Sequence, residues 1–186
     1  IGIVILDHPQ ITITSFLMQQ LLENTVALIS CNQQHHPTGL FLPLEGHSKQ
    51  GKIVRAQLNA SEPLKKQLWQ TIIKQKIINQ AIVMAIQNPE DMTLFEIEKK
   101  VKTGDHENME AQAAAYYWKK FNPWGKEMIL NTPFKRDRDG DAPNNLLNYG
   151  YAILRAIVAR NLVASGLMPV VGLFHKNQYN SYALAD

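Results

Sequence analysis

The apolar positions fall into two rhythms along the chain. Ile3 to Leu6 is an unbroken aliphatic run that Asp7-His8-Pro9 stops, which predicts a strand. Ser15 then suits the cap of a short helix over 16–23, with Leu17, Leu21 and Leu22 on one side. Val26 to Cys31 predicts a second strand, and Leu40 to Leu44 a third, weakened by Pro43. A complete sheet domain needs more strands than these, so further strands are expected ahead of Ile1.

Residues 49–60 are polar and basic and read as a linker. From Ser61 the rhythm becomes helical. Ser61 is a good N-cap, with Glu62 and Pro63 in the first turn. Leu64, Leu68, Ile72, Ile78, Ile82 and Ile86 recur at helical spacing until Asn88-Pro89. A shorter helix is predicted over 93–102, ended by Gly104, and another from Asp105 or Glu107 to Phe121. Residues 122–143, with Pro123, Pro133 and Pro143, read as a long loop of the kind that usually carries function. A last helix runs over 145–165 with Gly166 as its C-cap. The whole is an α+β chain: a partial β-rich domain (1–48), a basic linker (49–60) and a mainly α-helical domain (61–186).

Composition adds limits. Hydrophobic residues make up 45% and charged residues 19% of the 186, which fits a globular chain. No apolar run reaches the length of a membrane span, and the aliphatic start has no basic region before it, so neither an anchor nor a leader is expected. A lone Cys31 excludes an internal disulfide and suits a reducing cytoplasm. Charge changes the picture more. Residues 1–48 hold no Lys or Arg, whereas residues 49–80 hold seven bases against one acid. Such a block attracts polyanions by releasing their counterions, although a solvated helix face has the same composition.

Glu110 is the main local anomaly. At helical spacing it shares a stripe with Ala113, Ala114, Tyr117 and Phe121, so it is expected to face inward. A carboxylate there requires a base, a hydrogen-bond donor or a metal; a structural ion pair satisfies it equally. His175 closes an apolar run and opens the polar string HKNQYN, a setting for a metal ligand or proton carrier as much as for an ordinary surface histidine. On the last helix Asn148, Tyr151, Ala152, Arg155 and Ala159 share a face, while Arg160 lies on another. Three constellations fail. Asp137, Asp139 and Asp141 lack the spacing of a calcium loop. Cys31, His35 and His36 have no second ligand pair. No glycine-rich phosphate loop occurs. Trp69, Trp118 and Trp124 read as packing, with Trp124 also placed to stack on a base.

Taken together, GDHENMEAQAAAYYWKKF (104–121), LNYGYAILRAIVARNLVASGLMP (147–169) and HKNQYN (175–180) resemble the universal CRISPR-associated spacer-acquisition integrase, in the branch found with type II systems. LDHPQITIT, HHPTGLFLPLEG and KKQLWQTIIKQKIINQA extend the likeness over nearly the whole chain. The resemblance implies a β-rich domain joined to an α-helical catalytic domain. It assigns Glu110 and His175 to catalysis and to a Mg²⁺ or Mn²⁺ site, the nitrogen ligand favouring Mn²⁺. It implies that a third ligand, an acid downstream of His175, and several strands ahead of Ile1 lie outside this sequence. It implies attack of a DNA 3′-hydroxyl on a repeat phosphodiester, with Lys65, Lys66, Lys74, Arg136, Arg138, Asn148, Arg155 and Arg160 holding DNA. The implied partners are double-stranded DNA (prespacer and repeat), a second copy in a homodimer, a small ferredoxin-like protein, and in type II systems the effector nuclease and a ring-forming DNA-end-binding protein. Two other readings stand beside this one: a non-catalytic DNA-binding or scaffold subunit, and a helical interaction module whose basic face is incidental.

Overall fold

A computed structural model describes residues 1–122, 134–137, 140–174 and 177–186. The elements run β1 (Ile3–Leu6), α1 (Ser15–Glu23), β2 (Ala27–Cys31), β3 (Pro37–Phe41), α2 (Gln50–Leu58), α3 (Glu62–Gln87), α4 (Thr93–Lys100), α5 (Met109–Lys120) and α6 (Asn144–Ala164). The class is α+β, as the two rhythms predict. The residues divide into two units, one of 1–60 with 145–186 and one of 61–144. This division differs from the sequence boundaries, which placed everything after residue 60 in one domain.

In the first unit β1 pairs parallel to β2, and β2 antiparallel to β3. The crossover helix α1 is capped by Thr14, whose hydroxyl accepts from Leu17 N, one residue earlier than the Ser15 expected. Val26, Ala27, Leu28 and Ile29 are buried, so β2 is the centre of this sheet. The third strand begins three residues before its predicted start. Pairing decides this: Ile29 faces Leu40 and Ser30 faces Gly39, and Pro37 sits at the strand's first position, where a missing N–H costs little.

The expected linker is a helix. Within α2, the Gln57 side chain donates to Met168 O and Val171 O, each at 3.0 Å, and accepts from Met168 N at 3.0 Å. Its low apolar content hid it, because its anchor is polar and lies more than a hundred residues away. On α6, Ala156, Ala159 and Val163 form the buried stripe. Gly166 (φ +80°) ends that helix as predicted: Gly166 N donates to Val163 O and Leu167 N to Leu162 O.

The described residues of the second unit form three helices, α3, α4 and α5, around one core. Trp69, Ile73, Ile77, Ala81 and Met84 of α3 pack with Leu94, Val101, Met109, Ala113 and Tyr117. This corrects the stripe read on α3. Leu64, Leu68, Ile72, Ile82 and Ile86 are exposed, Ile72 by 47%, and the buried stripe lies one residue further round the helix. Both stripes have helical spacing, and Trp69, which the sequence reads as packing, takes the inside with Ala81 and Met84. Tyr117, Trp118, Phe121 and Phe134 form an aromatic cluster, with Tyr117 and Phe121 stacked at 5.1 Å. No helix among the described residues is long and apolar enough to cross a membrane.

Candidate active site

Glu110 stands in the first turn of α5, and the loop before it explains its position. Gly104, Asp105 and Asn108 all have left-handed backbones (φ +77°, +48° and +56°). Only glycine adopts the first without penalty, and a Cβ there would also press on the His106 ring at 3.3 Å. Gly104 N is tied back to Lys66 O on α3 at 3.3 Å. This turn aims the Asp105 carboxylate at the start of α5, where Oδ1 accepts from Met109 N (2.8 Å) and Oδ2 from Glu110 N (3.0 Å). Two otherwise orphaned amides are thereby satisfied, and a negative group meets the positive end of the helix.

Packing completes the placement. Met109, Ala113 and Tyr117 are the buried residues of α5, so Glu110 sits on the shoulder of the inward stripe rather than on it. Its side chain is 26% exposed. The partner the sequence argument required is Lys76 of α3, whose Nζ donates to Glu110 Oε1 at 2.5 Å. Lys76 lies between Ile73 and Ile77, both buried, so α3–α5 packing brings the two charges to one rim. The ion pair is one of the outcomes the stripe allowed, and Lys76 and Asp105 are the residues that sequence reasoning did not single out. The signal for Asp105 was present as an acid just ahead of a helix; no local signal pairs positions 34 residues apart.

A partly exposed carboxylate fits one hard-oxygen ligand of a divalent cation. Among the described residues no three His, Cys, Asp or Glu side chains gather to hold a metal. His175, the second expected ligand, lies outside the described residues, as do Arg138 and Trp124.

Most of the remaining expected DNA contacts have local partners. Lys65 reaches Glu62 at 3.4 Å and Lys74 reaches Glu98 at 3.0 Å. Lys66 is exposed on α3. Arg136 donates to Asp137 O and to Asn144 Oδ1, and lies 5.9 Å over the Trp118 ring. Asn144 also accepts from Asp137 N and donates to Lys135 O, so this buried amide pins the 135–137 segment. On α6, Asn148 is half-buried, and Arg155 donates to Asp186 Oδ1 at 2.5 Å beside a cavity of about 160 Å³. Thr38, Ala152 and Tyr182 line that cavity. Arg160 donates to Thr25 O and packs against Gly2. These two arginines make structural bonds within their own unit.

The rejected Cys31 constellation is a separate polar cluster. His35 Nδ1 is 3.0 Å from Asp7 Oδ1. Burial, then the Asp7 charge, pushes the Cys31 thiol up, away from the reactive thiolate.

The family described as CRISPR associated protein Cas1 matches residues 2–186. The CRISPR-associated endonuclease Cas1 of Neisseria meningitidis serogroup C (strain 8013) is 42% identical over 189 residues, covering 100% of this chain and 59% of that protein. The CRISPR-associated endonuclease Cas1 2 of Pyrobaculum aerophilum is 40% identical over 75 residues, 39% of this chain and 23% of that protein. The chain thus spans less than two thirds of the relatives it matches. Among solved structures, a casposase bound to integration product superposes with a TM-score of 0.77 at 22% identity, over 100% of this chain and 55% of that one. A Cas6-RT-Cas1–Cas2 complex gives 0.69 at 22%, over 99% of this chain and 22% of that one. At such identity these two likenesses speak to the fold.

Proposed function

Because the chain belongs to the CRISPR-associated Cas1 family, we propose that it serves spacer acquisition as a metal-dependent DNA endonuclease and integrase with Glu110 at the reacting phosphodiester. The observation that carries this reading is the built position of Glu110. It is about a quarter exposed, at a helix start, with its own amide held by Asp105.

In this reading a 3′-hydroxyl of the incoming DNA attacks a phosphorus of the repeat. One P–O bond forms, the bond to the repeat's 3′-oxygen breaks, and the proton of the attacking hydroxyl ends on that leaving oxygen. Glu110, with His175, would hold Mg²⁺ or Mn²⁺, which supplies Lewis acidity at the phosphoryl oxygen and stabilises the leaving oxyanion. The protein's own residues orient the strands. Lys65, Lys66 and Lys74 on α3 offer phosphate contacts that set register and carry little sequence information. Double-stranded DNA, a second copy and a small ferredoxin-like partner are the assembly this reading expects, together with the type II effector nuclease.

The test compares the chain with its Glu110→Ala variant on supercoiled or branched DNA in Mn²⁺. Strand cleavage and joining are expected to fall by about a hundredfold or more, with DNA binding retained and weakening steeply with salt. Equal activity rejects the catalytic role of Glu110. Binding without activity in either chain supports the scaffold alternative instead.

A further inference from the structure

Among the described residues the Glu110 carboxylate is paired with Lys76, whose side chain is partly exposed. Glu110 itself is fixed. Its amide is held by Asp105 at 3.0 Å, and its neighbours Met109 and Ala113 are buried. Of the other α3 lysines, Lys74 is engaged with Glu98 and Lys65 with Glu62, while Lys66 is exposed. Nearby, Lys102 and Glu107 neutralise one another. Lys76 has a four-carbon stem rooted between buried Ile73 and Ile77, and a head that is 47% exposed.

An ammonium 2.5 Å from Oε1 and a divalent cation on the same carboxylate would repel each other strongly. The two compete for one oxygen. The geometry points to Lys76 as a positioning residue that competes with the divalent cation for Glu110 and so sets how tightly the site takes it. This rests on Glu110 being a cation ligand. Lys76 keeps the rim carboxylate neutralised and aimed; the cation gains Glu110 only as the ammonium swings out on its stem.

The experiment is a Mn²⁺ titration of the full chain, read by the loss of the free-ion electron paramagnetic resonance signal. Lys76→Met, which keeps the stem and removes the charge, is expected to bind Mn²⁺ about two- to fivefold more tightly, the range a half-exposed ion pair can contribute. Lys76→Arg, which keeps the charge, should bind no more tightly than the wild type. The difference between wild type and Lys76→Met should shrink as ionic strength rises. Circular dichroism checks helix content; if Lys76→Met unfolds, Lys76→Gln takes its place. A folded, uncharged variant with unchanged or weaker affinity overturns the proposal while leaving Glu110 a ligand. A Mn²⁺ signal indifferent to Glu110→Gln removes Glu110 from the site, and the Lys76 proposal with it.

Discussion

The 61–144 unit is a single stretch of chain, whereas the other unit joins residues 1–60 to residues 145–186. The two solve different physical problems. Helices α3, α4 and α5 follow one another, so packing side chains at i, i+3 and i+4 closes their core with short connections. The other unit must bring together segments more than a hundred residues apart, and it does so partly with polar groups: Gln57 to Met168, and Arg160 to Thr25. Charge is used differently too. Arg160 donates to a backbone carbonyl, whereas Arg155 and Lys76 each pair with a partly exposed carboxylate at 2.5 Å. Cations in a basic protein are therefore not equivalent, and their partners tell them apart better than their number does.

The sharpest way to break this comparison is on α3 itself, where of two adjacent isoleucines Ile73 is buried and Ile72 exposed. Ile73→Ala opens a cavity in the core and is expected to cost about 2–5 kcal/mol in urea denaturation. Ile72→Ala, on the exposed side, should stay within about 0.5 kcal/mol. Similar losses for the two would mean that the inside and outside of the helix are misassigned.

A smaller effect tests the polar joint of the other unit. Gln57→Ala leaves two carbonyls and one amide of the 168–171 segment without their partner, which is expected to destabilise that unit by about 1–3 kcal/mol. Hydrogen exchange should quicken at Met168 and in α2, and remain slow in α3. Uniform quickening across both units would show that they unfold together rather than separately.

The smallest effect is electrostatic. The Tyr116 hydroxyl donates to Asp91 at 2.6 Å and holds that carboxyl below the usual aspartate range. A depressed folded value stabilises the protein above the unfolded value of about 3.9. That contribution disappears as pH falls through the folded value. Tyr116→Phe should thus be less stable than the wild type at neutral pH, with the gap closing in acid. A gap that persists at the lowest pH at which both fold would assign the loss to packing.

Legibility followed the same divide. Ser61 at the start of α3, Gly166 at the end of α6, the β1 run and the break at Asn88-Pro89 are local signals, and each sits where its chemistry requires. On α3 apolar residues lie on two sides, and periodicity alone gives a spacing without saying which phase meets a neighbour. The α2 segment has the look of a linker because its anchor, Gln57, is polar and its partners are remote. At the candidate site, Glu110 was visible as an acid beside small and aromatic residues. Lys76 was one of seven bases in a block, with nothing in the chain to distinguish it.

From its amino acids alone this protein was determined to be an α+β chain with a strand-rich start, a basic stretch and a set of capped helices, one of them bearing an unusual carboxylate. These are consequences of backbone preference and spacing, which act over a few residues. Which face of α3 is inside, that residues 145–186 join the first strands, and that the ammonium of Lys76 meets Glu110 were decided by tertiary packing. Burial and ion pairing act through space, and separation along the chain carries no information about them.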